Sequence, residues 1–210
     1  MQRDWSSYAV DHLRESIRVK ESAIDACIPD LLKIAEATTQ CFANGNKVLI
    51  CGNGGSAADA QHLAAEFIST LSTKFARKAL PAIALTTDSS TMTARANDYG
   101  FDEVFSRQVE AFGQPGDILI SFSTSGGSKN CIRAMEEAAG RGMVNIAFVG
   151  GTGGKMAEIA DYSIVVPSNQ TMHIQESHLA LYHIYCYIVE RQLNPEQAEA
   201  ERLSQTATVS

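Results

Sequence analysis

The chain has 210 residues, of which 45% are hydrophobic and 20% charged, a composition typical of a globular protein large enough for one buried core. Its formal net charge of −7 argues against a broad nucleic-acid-binding face. Five scattered cysteines without a CxxC pair, no signal-peptide pattern and no apolar run of about 18 residues argue against a disulfide framework, export and a membrane span, so we expect a cytoplasmic protein.

The first segment, residues 4–44, contains no glycine and one proline, and its apolar side chains recur at helical spacing. This pattern predicts two helices that are separated near Pro29 and end at Asn44-Gly45-Asn46. A helical arm ahead of the first strand needs a surface to cover. In a chain of this size, that surface can belong to a second subunit.

Apolar strand-like runs then alternate with helical segments. The predicted strands are Lys47–Cys51, Pro81–Thr86, Asp117–Phe122, Val144–Val149 and Tyr162–Val166. The predicted helices lie near 57–70, 89–97, 101–112, 129–141, 154–160 and 172–192. Continuous apolar strands between helices indicate a doubly wound α/β fold, a three-layer αβα sandwich around a five-stranded parallel sheet. We predict a single domain over residues 1–193 with its helical arm at 1–44, and a polar, disordered tail at 194–210.

Two strand-to-helix turns are rich in glycine and hydroxyl groups. The glycine loop is Cys-Gly-Asn-Gly-Gly-Ser at 51–56, and the serine loop is Ser-Thr-Ser-Gly-Gly-Ser at 123–128. Unpaired N–H groups and the positive end of the helix dipole favour an anion at such turns. Neither loop has the spacing of a dinucleotide fingerprint or of a P-loop, so the pair favours a phosphosugar over a nucleotide. The alternative is an ordinary serine-rich turn with Ser128 as a helix N-cap.

Polar side chains on two helices are further candidates for chemistry. His62 and Glu66 lie four residues apart on the helix after the glycine loop, which puts them on one face as metal ligands or as a base, or as a plain surface pair. The last helix carries Gln175 and His183, about 12 Å apart along its axis. One ion can touch both only if each side chain leans fully toward it; otherwise they act in different subunits or at different points of one ligand. On the same helix, we expect His173 and His178 to face water.

Two other turns are open to two interpretations. Asn97-Asp98 is typical of a helix-ending turn, which we favour, but it also suits the binding of sugar hydroxyls. The glycine-rich segment Gly150–Gly154 fits an anion site and a long flexible turn equally well.

Together these motifs resemble the sugar isomerase (SIS) domain and, within it, the phosphoheptose isomerases. The resemblance extends from the helical arm to about Leu193. It depends on the glycine loop with His62 and Glu66, on Ala-Asn-Asp-Tyr-Gly-Phe at 96–101, on the serine loop, and on Ile-Gln-Glu at 174–176 followed by His183. It implies a flavodoxin-like α/β sandwich that assembles as a homotetramer with its active sites at subunit interfaces.

The resemblance also implies roles for individual residues. The substrate-binding residues would be Asn53, Gly54, Gly55, Glu66, Asn97, Asp98, Ser123, Thr124, Ser125, Ser128 and Gln175. The ligands of one zinc ion per subunit would be His62, Glu66, Gln175 and His183, with Glu66 and His183 also the acid/base pair. Gly127 departs from the family, in which asparagine is common at this position, so a side-chain contact is missing there.

The implied reaction is the conversion of sedoheptulose 7-phosphate to D-glycero-D-manno-heptose 7-phosphate through an enediol, in heptose biosynthesis for lipopolysaccharide or surface glycans. An isomerase of another phosphosugar is an alternative. A non-catalytic sugar-phosphate-binding regulator, similar to replication-initiator-associating proteins, is another. Those proteins lack counterparts of Glu66 and His183, and the presence of both here favours the enzyme. The motifs imply a sugar phosphate as the partner, and neither nucleic acid nor a membrane.

Overall fold

The predicted strands pair in one parallel sheet in the computed structural model, which describes residues 4–207. The strands are β1 (Val48–Gly52), β2 (Ala82–Ala84), β3 (Ile118–Ser123), β4 (Val144–Gly150) and β5 (Tyr162–Val166). Their order across the sheet is β2-β1-β3-β4-β5, with Ile50 opposite Ile120 in the central pair. This is the flavodoxin-like order, and it confirms the predicted five-stranded parallel α/β sheet.

Helices cover both faces of the sheet. They are α1 (Trp5–Ala43), α2 (Gly55–Ile68), α3 (Ser89–Tyr99), α4 (Ser106–Phe112), α5 (Lys129–Gly140), α6 (Gly154–Ile159), α7 (Thr171–Leu193) and α8 (Pro195–Ala207). Alternate residues of each strand enter opposite layers: Val48 and Ile50 pack with α1, α2 and α7, whereas Leu49 and Cys51 pack with α4, α5 and α6. Among residues 4–207, no helix has the combination of length and apolar character needed to cross a bilayer.

The N-terminal arm is one continuous helix, so the predicted break near Pro29 is wrong. Proline inside a helix costs about 3 kcal/mol. Cys27, Leu31 and Ile34 around it are fully buried against the sheet and α7, and each buried apolar side chain contributes roughly 1.5–3 kcal/mol. Tertiary packing therefore outweighs the local penalty. The predicted end of the arm is confirmed, since α1 stops at Ala43 and Gly45 has φ +80°.

The predicted disordered tail is instead helical over Pro195–Ala207, while residues 208–210 of that prediction lie outside the described range. Proline suits the first position of a helix, where its missing N–H costs nothing. An ion pair of 2.9 Å between Arg191 and Glu201 joins α8 to α7. The sequence pattern alone was too polar to indicate this helix.

The two histidines expected to face water are buried. His173 is 2% exposed and bonds Glu176 on its own helix, and His178 is fully buried between the rings of Phe122 and Phe148. The Nε2 atom of His178 lies 3.0 Å from the carbonyl oxygen of Val149. Burial lowers the pKa of His178 to about 4, despite this hydrogen bond, which acts to raise it.

His178 should make stability depend on pH. Its folded-state pKa is lower than the usual 6.5, so the unfolded chain takes up a proton first as the pH falls. We expect full stability above about pH 6.5 and a progressive loss, up to about 3 kcal/mol, between pH 6.5 and 4. The check is the free energy of unfolding across this range for wild type and for His178→Gln, which keeps a donor for Val149 but does not titrate. If the difference in the free energy of unfolding between wild type and His178→Gln stayed the same from pH 6.5 to pH 4, the lowered pKa of His178 would be contradicted.

One side of α1 leaves apolar side chains uncovered. Trp5, Leu13, Ile17 and Ile24 expose between 58% and 64% of their surfaces, although the opposite side of the helix packs on α7 and β5. Exposed apolar surface of this kind is typical of a protein–protein interface.

Candidate functional site

The glycine loop and the serine loop lie side by side at the carboxyl edge of the sheet. They follow β1 and β3, which are neighbours in the sheet. From β1 the chain continues to β2 on one side, and from β3 it continues to β4 on the opposite side. Ligands of open α/β sheets bind in the crevice at such a reversal of strand order. A reciprocal amide pair joins the glycine loop to the first turn of α5, the helix that follows the serine loop, since Asn53 and Asn130 each donate to the other at 2.8 Å. The two predicted anion loops therefore adjoin at one edge of the sheet.

The hydroxyl groups of the serine loop lie at the N-terminus of α5. Ser123 Oγ lies 2.9 Å from Ser128 Oγ, and Ser125 Oγ accepts from the N–H of Gly127 at 3.2 Å. Ser128 occupies the N-cap position of α5 without a side-chain capping bond, which the plain N-cap interpretation requires. Backbone donors and hydroxyl groups thus meet at the positive end of a helix, as an anion site needs.

The backbone of the Gly150–Gly154 turn packs directly against the backbone of the serine loop. Gly126 has φ +65°, and a Cβ atom on it would come 1.9 Å from the carbonyl oxygen of Gly153. The N–H of Met156 donates to the carbonyl oxygen of Gly126 at 2.9 Å. Gly154 is restricted in the same way, since a Cβ atom on it would come 2.6 Å from the carbonyl oxygen of Ser125. The close approach of the two backbones therefore requires glycine at 126 and 154, a reason that neither interpretation of the turn in the sequence analysis includes.

A polar cavity of about 270 Å³ opens beside the serine loop. It is lined by Thr124, Ser125, Gly150, Gly151, Thr152, Ser168, Asn169, Thr171 and Ile174. Its volume is close to the lower limit of small-molecule sites, roughly 300 Å³. Its lining of hydroxyl, amide and backbone groups suits a small polyhydroxylated ligand.

His62, Glu66 and His183 meet where α2 packs on α7. The Nε2 atom of His62 lies 3.0 Å from Glu66 Oε1, and the rings of His62 and His183 are 5.0 Å apart between centroids. One ligand atom from each of the three residues lies within 4.8 Å of the others. The second carboxylate oxygen, Glu66 Oε2, is buried without a hydrogen-bond partner. Two imidazoles and a carboxylate at this spacing form a donor set that zinc accepts.

Gln175 lies where α7 packs against the first residue of α2. Its amide packs directly on Gly55, where a Cβ atom would approach the amide oxygen and nitrogen to 2.7 Å. The carboxylate of Asp59 nearby is buried, and its Oδ2 atom has no hydrogen-bond partner. Burial raises the pKa of Asp59 to about 6, while hydrogen bonding to Gln175, the charge of His62 and hydrogen bonding to Tyr182 lower it.

Asn97 and Asp98 lie on an exposed helix end. Both are at the last turn of α3, and Asn97 Nδ2 donates to Asp98 Oδ1 at 2.8 Å. No residue of α3 is buried. Their predicted role in substrate binding stays a prediction.

A buried ion pair fixes the end of the helix that carries Glu66. Arg77 donates to the carbonyl oxygens of Glu66 at 2.6 Å and of Phe67 at 2.8 Å, and its Nε lies 2.8 Å from Glu190 Oε1 on α7. The side chains of Arg77 and Glu190 are 1% and 0% exposed. The pair joins the last turn of α2 to α7, the helix that carries His183.

Sequence reasoning missed four residues that shape the site: Asp59, Arg77, Asn130 and Tyr182. Asp59 had a signal, because it lies three residues before His62 on the helix after the glycine loop. The other three act through long-range contacts that no local pattern indicates.

Comparisons with known proteins identify the family of this chain. The SIS domain is matched over residues 11–150. Similar relatives are the phosphoheptose isomerases of Roseiflexus sp. (strain RS-1), 48% identical over 91% of this chain and 96% of the relative, and of Shewanella sp. (strain ANA-3), 50% identical over 90% and 96%.

Solved structures of phosphoheptose isomerases are also similar to this chain. Phosphoheptose isomerase GmhA from Neisseria gonorrhoeae matches with a TM-score of 0.84 and 44% identity, over 89% of this chain and 98% of that one. A phosphoheptose isomerase from Francisella tularensis matches with a TM-score of 0.86 and 38% identity, over 90% and 100%. The sugar isomerase domain of an RpiR transcription factor from Sphaerobacter thermophilus, 20% identical with a TM-score of 0.62 and covering 94% and 98%, is similar in fold alone.

Proposed function

The chain belongs to the SIS-domain family and, within it, to the phosphoheptose isomerases, and from this membership we propose how its crevice performs the reaction. It is an aldose–ketose isomerase that converts sedoheptulose 7-phosphate to D-glycero-D-manno-heptose 7-phosphate in heptose biosynthesis. The observation that carries the proposal is the meeting of His62 and Glu66, on the helix after the glycine loop, with His183 on α7.

Zinc is the cofactor we propose, one ion per subunit, held by His62, Glu66, Gln175 and His183. Support comes from the mutual approach of His62, Glu66 and His183 and from the unpartnered, buried Oε2 atom of Glu66. When bound, zinc would polarise the oxygens on the two reacting carbons. Gln175, eight residues before His183 on α7, would contribute an amide oxygen if its side chain extends along the helix toward the ion.

The protein's own residues then bind the substrate and move its protons. The hydroxyls of Ser123, Thr124, Ser125 and Ser128 and the N-terminus of α5 hold the phosphate, and Asn53, Gly54 and Gly55 contact the sugar. Anchoring this unreactive end fixes the reacting carbons in place. Glu66 takes the proton from the carbon beside the carbonyl and returns it to the neighbouring carbon through an enediol. His183 carries the hydroxyl proton from one oxygen to the other.

We also propose a cytoplasmic homotetramer in which α1 contributes to the subunit interfaces. The exposed apolar face of α1 supports this assembly, since an isolated subunit would leave Leu13, Ile17 and Ile24 in water. Light scattering on the purified protein should give four times the subunit mass. A stable, active monomer would contradict the proposal.

Removing hydroxyls from the serine loop should weaken substrate binding. The double variant Ser125→Ala, Ser128→Ala loses two donors to a charged phosphate, each worth about 1–3 kcal/mol. We expect a higher KM and weaker calorimetric binding of inorganic phosphate, with a smaller effect on kcat. Ser204→Ala, on exposed α8, is the matched control. Equal phosphate affinity in the double variant and wild type would refute the phosphate assignment.

A non-catalytic sugar-phosphate regulator is the second candidate, because a transcription factor's sugar isomerase domain has the same fold. The deciding experiment incubates purified protein with sedoheptulose 7-phosphate, with and without a chelator, and follows the product. We expect turnover that the chelator abolishes and added Zn²⁺ restores. Binding of the sugar phosphate without turnover in the zinc-supplied protein would favour the regulator.

A further inference from the structure

Two side-chain amides tie the glycine loop to α5 at the point where the two segments separate. The ladder between β1 and β3 ends at the pair Gly52 and Phe122. Beyond it, α2 packs on the face of the sheet that α1 and α7 cover, whereas α5 packs on the opposite face. Asn53, the next residue after β1, exchanges two hydrogen bonds of 2.8 Å with Asn130 in the first turn of α5. The pair therefore joins two segments that the sheet no longer holds together.

The contacts of Asn130 determine which way both amides point. The backbone N–H of Cys131 lies 3.0 Å from one end of the Asn130 amide, and an N–H group can only donate, so the atom that faces it is the oxygen. The nitrogen of Asn130 then donates to Asn53 Oδ1, and the nitrogen of Asn53 donates in return. Reversing either amide would set donor against donor and acceptor against acceptor. The side chain of Asn53 is therefore engaged by α5.

The residues next to Asn53 leave the glycine loop dependent on this anchor. Gly54 and Gly55 are exposed, and Gly54 has φ +57°, in the left-handed region that glycine enters without strain. Glycines have many accessible backbone conformations, so contacts with the rest of the fold have to fix the position of the loop. Asn130 is 3% exposed and lies on a packed helix, so it is a fixed point for the loop.

We propose that Asn130 is a positioning residue that holds the glycine loop, through Asn53, at a set distance from the phosphate-binding end of α5. The inference rests on the proposed function and adds how its two halves are aligned. The glycine loop leads into α2, which begins at Gly55 and carries Glu66. The amide pair therefore sets the span between the bound phosphate and the base that acts on the reacting carbons. Because α5 engages the side chain of Asn53, the loop contacts the sugar through its backbone.

A double-variant cycle tests the pair. Asn53→Ala and Asn130→Ala should each lower kcat with sedoheptulose 7-phosphate about 10- to 100-fold, because a displacement of about 1 Å can cost about 10²-fold in rate. The double variant should be no slower than either single variant, since all three lack the same pair. A direct contact between the Asn53 side chain and the sugar would make Asn53→Ala slower than Asn130→Ala, and this result would overturn the inference.

Inorganic phosphate and a second buried asparagine separate positioning from folding. The serine loop keeps its hydroxyls in all three variants, so their calorimetric affinity for phosphate should equal that of wild type. Asn145→Ala is the matched control, because Asn145 is 1% exposed, lies at the amino end of β4 and donates to the carbonyl oxygen of Met135 at 3.0 Å. It should melt earlier than wild type and keep full kcat. If a single variant fails to fold, the double variant, which leaves neither amide without its partner, decides the question.

A further measurement does not depend on turnover. The N–H of Ser56 donates to the carbonyl oxygen of Asn53 at 3.0 Å, so hydrogen–deuterium exchange at Ser56 reports on the loop. Exchange should be faster in Asn130→Ala than in wild type and unchanged in Asn145→Ala. Wild type without isomerase activity would refute the proposed function, and exchange would then decide the inference alone. Equal kcat in folded Asn130→Ala and wild type, or equal exchange at Ser56, would overturn the inference.

Discussion

Glu66→Gln should lower turnover by at least about 10²-fold while the protein stays folded and still binds phosphosugar. The reason is that an amide cannot accept the carbon-bound proton, and a positioned base contributes about 10²–10⁴-fold. His183→Gln should cause a loss of the same order, because the proton between the two oxygens then lacks its carrier. Both side chains are partly exposed in the crevice, so neither change should disturb the core.

Steady-state kinetics with sedoheptulose 7-phosphate gives the first readout, and thermal melts of the same samples give the second. Glu110→Gln, an exposed residue of α4 paired with Arg107, is the matched Glu-to-Gln control and should keep full activity. If Glu66 and His183 were structural, their variants would melt earlier and lose little rate per folded molecule. Full turnover in folded Glu66→Gln would remove Glu66 from the mechanism.

Glu190→Gln should destabilise the fold by about 3–5 kcal/mol. The change leaves the guanidinium of Arg77 buried without its counter-ion, and an uncompensated buried charge is far more costly than a lost surface pair. The free energy of unfolding from urea denaturation measures the effect. Glu110→Gln should change it by only about 0.5 kcal/mol, since exposed pairs contribute little.

The double variant Arg77→Met, Glu190→Leu separates stability from positioning. Removing both charges avoids the orphaned ion, so most of the lost stability should return. The double variant also removes the hydrogen bonds from Arg77 to the carbonyls of Glu66 and Phe67, so kcat should be lower than that of wild type in a folded protein. A double variant as unstable as Glu190→Gln would contradict this account of the pair.

The elements and loops were predictable because their signals are local. Apolar runs such as Val48–Ile50 mark strands buried on both faces, and the glycine and serine loops mark the turns that follow them. The short strand β2 was predicted twice its observed length, because only Ala82–Ala84 finds a partner at the sheet edge. His62 and Glu66 share a face for the equally local reason of a four-residue spacing.

The break predicted at Pro29 and the exposure predicted for His173 and His178 were wrong for one shared reason. Each depends on whether a residue finds a partner on another element, here the packing of α1 and α7 on the sheet. A propensity of a few kcal/mol is outweighed when several apolar side chains are buried together.

By itself, the sequence determined the five strands in chain order, the position of the glycine and serine loops after two of them, and which residues we propose for acid/base work. Only the tertiary structure decided that His183 meets His62 and Glu66 across more than a hundred residues, and that Tyr182 bonds His62. The same holds for the ion pair of Arg77 and Glu190. The physical reason is that short-range backbone preferences are written in neighbouring residues, whereas the partners of a buried polar group depend on how whole helices pack.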